Sequence, residues 1–530
     1  MVTKELKKNK GITLLALVIT IIILLILAGI TISAITGDNG IIGNAGQAKE
    51  ETKIANEREI VEKATVQAMG NNKYGNILED ELQSELDKET GEGKTEATDV
   101  GEKFEIVFID TKRYYTVDKN GNVGEAQDII EDKSPGDITK DENGNSLKGD
   151  ESEPYEIWCI EDLVAFSNMV NGSGIKLENG NPVEVGIVNS FSGKYVELKR
   201  NLNFKSKYSY ANSERTDFGD INGDENDGNA LINEMTTGTG FKPIGNEERG
   251  FLGIFDGDKK EIQNIYIKTD KIAGLFSKIS EETAIIRNLG ITGVISSTGT
   301  YVGGIVGSYT SGTITNCYNE CEINGGYYAG GIIGHAYATN VEVNNCYNLG
   351  NVTGKIAAGI LSRNGGDSLK TIITNCFNVG DITGTEESTA GGILGEITTM
   401  TLNINNCYNL GDVKSDTFSG GIIGYSRYTV NISNAYNAGR IYLGGKADII
   451  VPEIWNSKIS LKNFFYDESD LINGVQIYSK DAISFKNNKE GVEELKNNLN
   501  DYMDDSGIYP NKWCKWIIGE NGYPTLDFDD

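Results

Sequence analysis

The sequence predicts a mainly β protein whose larger part is a right-handed parallel β-helix, a solenoid of about eight coils. Three observations predict this fold. The chain of 530 residues holds 65 glycines and only 7 prolines, which favours many tight turns. Two short strings recur in phase, roughly 29 residues apart. Within each repeat, apolar residues alternate with polar ones, as strands with one buried face require.

Two interleaved strings define the repeats. The string NCYN, or a close variant, begins at Asn316, Asn345, Asn375, Asn406 and Asn434, with spacings of 29, 30, 31 and 28 residues. The string GGIVG, or a variant, begins at 303, 330, 358, 391 and 420. Motifs that keep phase over five periods indicate stacked structural units that share one continuous core.

A wider pattern, in which an apolar residue stands two positions before Asn and a small or apolar residue follows it, extends the repeats over 260–466. It occurs at 262–265, 286–289, 314–317, 343–346, 373–376, 404–407, 432–435 and 461–464. Cys317, Asn319 and Ile323 are separated by even numbers of residues, so their side chains should all face inward. Ile314 is out of phase with them. The chain should therefore bend at Asn316, because Asn tolerates the left-handed conformation.

These strings resemble the GLUG repeat family, and the resemblance covers 155–530. The flanking segments agree with it: 154–259 and 467–530 are expected to cap the solenoid at its two ends. In the first of them, YEIWCIEDLVAFSNMVN at 155–171 predicts a helix and FSGKYVELKRNLNF at 191–204 predicts further strands. The resemblance implies a right-handed β-helix on a bacterial surface, often linked to adhesion, and no fixed ligand.

The N-terminus predicts a membrane anchor. Residues 1–11 hold four lysines and one glutamate, and 12–35 form an uncharged apolar run. As a transmembrane helix this run would extend about 36 Å and cross a bilayer, with the lysines in the cytoplasm. A secretory signal peptide is the weaker interpretation, since its apolar region is shorter. We expect a single-pass protein of the cell membrane whose C-terminal ectodomain is extracytoplasmic, at the cell surface.

The basic leader ending in Gly11 and followed by Ile12 resembles the cleavage and methylation segment of type IV prepilins. The resemblance implies that a prepilin peptidase cuts between these two residues and leaves the helix as the anchor; an uncleaved anchor is the alternative. Pilins usually carry a glutamate five residues into the mature chain, where this sequence has Ala16. That departure favours a membrane-retained protein over a major filament subunit.

The segment 36–127 continues the resemblance as a small pilin-like α+β module. A helix is expected with Ile54, Val61, Ala64 and Ala68 on one face. Strands are expected at 104–108 and 114–117, with a turn at Asn120-Gly121. Residues 128–153 are rich in acids and poor in apolar residues, which is typical of a linker.

An aromatic residue follows the inward cysteine position in most coils and should point outward. An exposed aromatic stripe is suited to stacking on the sugar rings of a glycan or to contact with a host-surface protein. The alternative is a purely structural stack, partly under the C-terminal segment. The ligand-binding candidates are Tyr318, Tyr347, Phe377, Tyr408 and Tyr436, with Tyr266 in the corresponding earlier position.

The recurring cysteines and asparagines are interpreted as structural columns. Stacked side chains lie about 4.8 Å apart, farther than a disulfide prefers, so buried thiols are favoured over a disulfide or metal ladder. Inward asparagines are expected to hydrogen-bond along the axis. The cysteines are Cys317, Cys346, Cys376 and Cys407, and the asparagines are Asn319, Asn348, Asn378, Asn409 and Asn437.

Calcium is the one cofactor candidate, and no other cofactor is predicted. Asp220, Asn222 and Asp224 have the spacing of a calcium loop. An EF-hand also needs glycine and glutamate where this chain has Glu225 and Leu231. We therefore favour an acidic surface turn over a metal site.

The composition excludes several classes of function. A net charge of -29 argues against nucleic acid as a partner. The single histidine, His335, is assigned a structural role, and its isolation removes the commonest general base. We predict no enzyme but a membrane-anchored surface protein, an adhesin or another binding or structural protein. The alternatives are a minor pilin of a type IV filament and a β-helix polysaccharide lyase or hydrolase.

The enzyme alternative requires clustered carboxylates beside a basic residue on one face of the solenoid. The repeats contain Arg287, Arg363, Arg427 and Arg440 at unmatched positions, and no acidic residue recurs beside them along the chain. This pattern does not favour a catalytic solenoid.

Overall fold

A computed structural model of the chain describes residues 41–528 apart from 72–75, 101–102, 125, 129–136, 141–144, 173–174, 179–180, 185–190, 211–234, 339, 366–369, 399–400, 453–457, 468–480, 507–513 and 520. The chain divides into two compact units, Met1–Asp128 and Ile129–Asp530. Gly11, Ile12 and the apolar run 12–35 lie outside the described residues, so the anchor stays a prediction. Among the helices that are described, none is both long enough and apolar enough to cross a membrane.

The first unit packs two helices against a four-stranded antiparallel sheet of order β1-β2-β3-β4. The predicted helical face is confirmed at Val61, Ala64 and Ala68, which are fully buried. The likeness of this unit to pilins stays a prediction. Its elements are α1 (Ile41–Asn71), α2 (Glu79–Thr90), β1 (Thr95–Asp99), β2 (Lys103–Phe108), β3 (Arg113–Asp118) and β4 (Gln127–Asp128).

A buried ion pair joins α1 to β3 in this unit. Arg113 donates to the two carboxylate oxygens of Glu57 over 2.8 and 2.9 Å. The Tyr115 hydroxyl donates to the same carboxylate over 3.1 Å. Both charged side chains are less than one tenth exposed. Because a buried charge without its partner is costly, the pair fixes how the helix lies on the sheet.

The second unit is a parallel β-solenoid with short elements at each end. Strands β5 and β8–β34 pair coil on coil, whereas β6–β7 and β35–β36 form separate antiparallel pairs. The helices are α3 (Ile160–Asn171), α4 (Lys489–Ser506) and a 3-10 turn at Lys207–Ser209. The strands are β5 (Tyr155–Ile157), β6 (Ile175–Glu178), β7 (Asn181–Glu184), β8 (Tyr195–Leu198), β9 (Leu202–Asn203), β10 (Ile254–Thr269), β11 (Phe276–Ser297), β12 (Tyr301–Gly303), β13 (Val306–Asn319), β14 (Glu322–Gly325), β15 (Tyr328–Gly330), β16 (Ile333–Ala336), β17 (Asn340–Asn344), β18 (Tyr347–Asn348), β19 (Val352–Ala358), β20 (Leu361–Asn364), β21 (Lys370–Thr374), β22 (Phe377–Asn378), β23 (Ile382–Gly391), β24 (Leu394–Ile397), β25 (Thr401–Asn405), β26 (Tyr408–Asn409), β27 (Val413–Ser415), β28 (Phe418–Gly420), β29 (Ile423–Ser426), β30 (Thr429–Asn437), β31 (Ile441–Leu443), β32 (Lys446–Asp448), β33 (Ile459–Asp467), β34 (Ala482–Phe485), β35 (Trp516–Ile518) and β36 (Pro524–Leu526).

One asparagine in each coil turns the corner, as predicted for Asn316. These asparagines have φ angles between 52° and 56°, in the left-handed region that Asn tolerates. Seven asparagines stack in one corner column and delimit six complete turns. The coil before them, in which Asp256 accepts from the Asn288 amide, brings the solenoid to about seven turns rather than eight coils. The pattern predicted at 262–265 is out of register with this column, because Ile262 pairs with Ile291 and not with Ile286. The corner residues are Asn288, Asn316, Asn345, Asn375, Asn406, Asn434 and Asn463.

An aromatic cluster under α3 closes the N-terminal end of the solenoid. Phe166 of α3 is fully buried, and its ring lies 4.9 Å from that of Phe191 and 5.8 Å from that of Phe255. The segment interpreted as a linker takes part in this cap. Ile138 is fully buried in the solenoid core, and its carbonyl accepts a bond from the backbone N–H of Glu156. The helix predicted at 155–171 and the strands predicted at 191–204 are present.

Inside the solenoid, one asparagine per coil forms a buried ladder, as predicted. Asn348 donates to the Asn378 side chain over 2.7 Å, and Asn378 donates to Asn409 over 2.8 Å. Each amide also donates to the backbone carbonyl two residues ahead, as from Asn378 to Gly380. The members are less than 4% exposed, so nearly every polar group they bring into the core is satisfied within it.

The corner asparagines form a second ladder with the opposite polarity. Asn345 donates to Asn316 and Asn375 donates to Asn345, over 2.9 and 2.8 Å. These amides donate to the preceding coil, whereas the amides of the inner ladder donate to the following one. Each coil is therefore held to its neighbours by two series of side-chain hydrogen bonds, in addition to the backbone pairing of the strands.

The second glycine of each GGxxG string lies against the inner ladder. A Cβ atom at Gly304 would lie 2.6 Å from Cγ of Asn319, and one at Gly359 would lie 2.5 Å from Cβ of Asn378. Both distances are far below van der Waals contact, so only glycine fits beside the asparagine. The GGxxG and NCYN strings keep a constant phase because their residues pack against each other within the solenoid.

The close packing of glycine against the inner ladder predicts that the same substitution lowers the free energy of unfolding by different amounts at two buried glycines. We expect Gly359→Ala to lower the free energy of unfolding by about 1–3 kcal/mol, because overpacking displaces the ladder. Gly365→Ala is the control, since a Cβ there meets its nearest side-chain atoms at 3.4 Å. Urea unfolding followed by circular dichroism measures both. Equal midpoints for the two variants would contradict this close packing.

Candidate binding faces of the solenoid

The aromatic stripe is present as a continuous stack of parallel rings that points away from the core. Its members are the predicted candidates Tyr318, Tyr347, Phe377, Tyr408 and Tyr436. Successive ring centroids lie 4.9, 4.6, 4.6 and 5.1 Å apart, with interplanar angles of 3° to 8°. These distances follow the spacing between paired strands, so the backbone register sets the stack.

For three of the five residues the structure shows the alternative arrangement, a structural stack under the C-terminal segment. Phe377, Tyr408 and Tyr436 are 8%, 1% and 0% exposed, because the C-terminal segment lies over them. Tyr408 shares a hydrogen bond of 2.6 Å with the Thr525 hydroxyl, and the Tyr436 hydroxyl donates to the Pro524 carbonyl. These three rings serve the core between the solenoid and its C-terminal cover.

The C-terminal segment also forms hydrogen bonds with the asparagine side chains of the corner ladder. The Trp516 indole N–H donates to Oδ1 of Asn406 over 2.6 Å, and its ring lies 5.7 Å from Tyr408 and Tyr436. Asn406 donates in turn to the Cys514 carbonyl over 2.8 Å. Helix α4 contributes the apolar face formed by Val492, Leu495, Leu499 and Met503. These residues are spaced three and four apart, a sequence pattern from which a buried helical face could have been predicted.

Only the N-terminal end of the stack, formed by Tyr318 and Tyr347, stays accessible to solvent. Tyr318 and Tyr347 are half-buried. The Tyr318 hydroxyl donates to the Glu261 carboxylate, and its ring lies against Gly290, where a Cβ would be 2.5 Å from Cε1. Gly290 takes the ring position of its coil, which ends the stack. The predicted correspondence of Tyr266 is wrong, because Tyr266 pairs with Val294 and Glu261 pairs with Gly290. Burial raises the pKa of Tyr347 to about 12, and its ring is 5.8 Å from Phe528.

The cysteine column is buried as predicted. Cys317, Cys346, Cys376 and Cys407 are fully buried, and each Sγ lies 3.1–3.2 Å from the carbonyl oxygen two residues earlier. Burial raises the pKa of Cys317 and Cys376. A raised pKa keeps a thiol protonated at neutral pH and so unreactive.

Within the described parts of the chain, no group of three or more His, Cys, Asp or Glu residues is placed to hold a metal ion. The calcium candidates Asp220, Asn222 and Asp224 fall in 211–234, outside those parts. The calcium alternative therefore stays a prediction.

A second side-chain cluster lies on the face that carries the GGxxG turns, and the sequence did not predict it. Two columns flank each turn at a fixed spacing of seven residues, as at Tyr328 and His335. The pairs are Tyr301 with Ser308, Tyr328 with His335, Ile356 with Arg363, Thr389 with Glu396, and Phe418 with Tyr425. The residue types differ from coil to coil, so a search for recurring letters does not find them.

We call Tyr301, Tyr327, Tyr328, His335, Tyr337 and Arg363 the His335 cluster. The His335 ring is 5% exposed and stacks on Tyr301, with centroids 4.5 Å apart and planes at 15°. Its centroid lies 5.2 Å from that of Tyr328 and 6.1 Å from that of Tyr337. Burial, and next the charge of Arg363, lower the pKa of His335 to about 4. The imidazole is therefore neutral at physiological pH.

Arg363 ties this cluster to the next coils. Its guanidinium lies 5.1 Å from the centre of the Tyr328 ring and donates to the Tyr328 hydroxyl. Its Nε lies 3.7 Å from Oε2 of Glu396, which follows it by one coil. Arg287 likewise lies 2.6 Å from Asp256 of the preceding coil. Acidic residues thus accompany Arg287 and Arg363 in space, although they do not recur beside them in sequence.

Comparison with known proteins supports the repeat assignment. Residues 298–324, which contain one GGIVG string and one NCYN string, match the family model described as the GLUG motif. The GLUG resemblance is confirmed for this segment. Among solved structures, a crystal structure described as "a putative immunoglobulin A1 protease from Bacteroides ovatus" is 20% identical over 75% of this chain and 98% of that chain, with a TM-score of 0.43. No curated protein matches the sequence.

The cover over the stack predicts a sharp difference between two neighbouring residues. Trp516→Ala should lower the free energy of unfolding of the C-terminal segment by about 3–5 kcal/mol, since it removes a buried indole and its bond to Asn406. Limited proteolysis should then release a fragment that begins near α4. Ile517→Ala, on the same strand but 40% exposed, should leave the digestion pattern unchanged. A Trp516→Ala pattern identical to that of the native protein would contradict this role.

The thiol column predicts a large difference in alkylation between the folded and the unfolded protein. At pH 7.5 the four column cysteines should resist iodoacetamide in the folded protein, because burial hides all four thiols from the reagent and raises the pKa of Cys317 and Cys376. In guanidinium without reductant, all 7 cysteines of the chain should react. Mass spectrometry counts the adducts. Column cysteines that react only after reduction would show that they are bonded in pairs.

Proposed function

We propose that this protein is anchored in the membrane of a bacterial cell and presents its solenoid at the cell surface as an adhesin. The observation that carries the proposal is the GLUG match within a solenoid of about seven turns. Ladders, stacked rings and parallel strands make each coil stiff, and a stiff array with a continuous face suits recognition outside the cell. The negative net charge of -29 keeps such an ectodomain dispersed.

The anchor in this proposal is the apolar run 12–35, with cleavage by a prepilin peptidase between Gly11 and Ile12. The lysines of the leader support a cytoplasmic N-terminus. Ala16, where pilins have glutamate, supports retention in the membrane over assembly into a filament. A minor pilin is the alternative, and the same experiment separates the two.

The test uses the full-length protein in its own cells. Protease added to intact cells should digest the solenoid, while a cytoplasmic marker protein stays intact. Membrane fractions should hold the protein, and the mass of its N-terminal peptide should begin at Ile12. A Gly11→Ala variant should keep the longer N-terminus. A protein that stays protected in intact cells would overturn the surface proposal, and immunogold labelling along filaments would favour the minor pilin.

A further inference from the structure

We propose that the His335 cluster is a carbohydrate-binding site and that its ligand is a neutral glycan of hexoses or N-acetylhexosamines. This inference rests on the proposed surface function and gives it a site and a substrate class. It places recognition on the face of the GGxxG turns and away from the aromatic stack.

The His335 cluster has solvent-exposed aromatic surface, whereas most of the aromatic stack is covered by the C-terminal segment. The Tyr337 side chain is 61% exposed and that of Tyr327 is 40% exposed, whereas Tyr318 and Tyr347 at the free end of the stack are half-buried. The apolar face of a pyranose ring stacks on such a ring, and tyrosine adds a hydroxyl for hydrogen bonding. The two open rings are linked through the ring contacts of Tyr328 and His335, so they suit different sugar units of one oligosaccharide.

The exposed rings rest on a fixed base. Tyr328 is 7% exposed, and its ring centroid lies 4.6 Å from that of Tyr327. Tyr301 stacks on His335, and Arg363 donates to the Tyr328 hydroxyl from the next coil. The backbone N–H of Tyr337 donates to the Tyr309 carbonyl over 2.7 Å. A base that is ordered before binding lowers the entropic cost of holding a flexible ligand.

Two buried polar atoms in the cluster have no hydrogen-bond partner. They are Nδ1 of His335 and Nε of Arg363. Buried polar atoms of folded proteins are nearly always paired, so two such atoms side by side need a physical reason. The His335 ring contacts those of Tyr328 and Tyr337, and the Arg363 guanidinium lies 5.1 Å from the centre of the Tyr328 ring. Glu396 Oε2, at 3.7 Å from Nε of Arg363, is beyond hydrogen-bond distance, so a sugar hydroxyl could supply the hydrogen bond that each of these atoms lacks.

The charges around the cluster favour a neutral ligand. Arg363 faces Glu396 at 3.7 Å, and Lys355, which lies 5.6 Å from the Tyr327 ring, faces Glu387 at 3.7 Å. Each cation is thus opposed by an anion, and His335 adds no charge at neutral pH. The net charge of the chain repels sialylated or uronate-rich glycans from a distance.

The experiment presents full-length protein in detergent micelles to an array of neutral, sialylated and uronate-containing oligosaccharides. We expect binding to neutral members and at least a tenfold loss of affinity in Tyr327→Ala/Tyr337→Ala. Tyr428→Ala is the matched control, because Tyr428 is 43% exposed and lies three coils further on. Tyr337→Ser alone changes one exposed ring and serves as a second variant that spares the packing of the cluster.

Several outcomes would overturn the inference. They are native affinity in both cluster variants, a preference for acidic glycans, and loss of binding in Tyr318→Ala but not in the cluster variants, which would place the site on the stack. Binding to a host glycoprotein that survives enzymatic removal of its glycans would identify a protein ligand instead. The surface proposal is judged separately by protease access in intact cells, so a surface-exposed protein that binds no glycan defeats this inference alone.

Discussion

The architecture depends on a buried amide placed beside a glycine in every coil. An asparagine side chain in an apolar core is tolerated only if its donors and its acceptor are satisfied. Asn378 meets that condition through Asn348, Asn409 and the Gly380 carbonyl, and all three partners are in place only when adjacent coils are in register. Gly359 must leave the space that the amide occupies. The ladder thus selects one register among the many that a purely apolar core would accept.

Coil length varies around this fixed register. Gly354 and Ile356 pair with Gly384 and Thr389, so the coil that contains Gly384 has three extra residues between the paired positions. The extra residues lie at a corner where Glu386 and Glu387 are exposed, and the pairing resumes on both sides. Spacings between corner asparagines can therefore differ from 28 to 31 residues without disturbing the ladders.

The sequence was informative wherever a residue's role is local. The bend at Asn316 follows from the preference of Asn for positive φ, and the inward phase of Cys317 and Ile323 follows from alternation within one strand. The cover over Tyr408 could not be read in this way, because Trp516 approaches it from more than a hundred residues away. The His335 cluster escaped notice for another reason: His335, Arg363 and Glu396 occupy equivalent positions but share no letter.

The opposed polarity of the two asparagine ladders has a consequence for the length of the molecule. Amide dipoles in the inner ladder point one way along the axis, and those of the corner ladder point the other way. Their fields largely cancel, whereas the aligned peptide dipoles of a helix add up to partial charges at its ends. Duplicating or deleting a coil therefore changes how far the rod reaches without building electrostatic potential at its tips. Coil number becomes a dimension that evolution can adjust in steps, with the caps at either end left as they are.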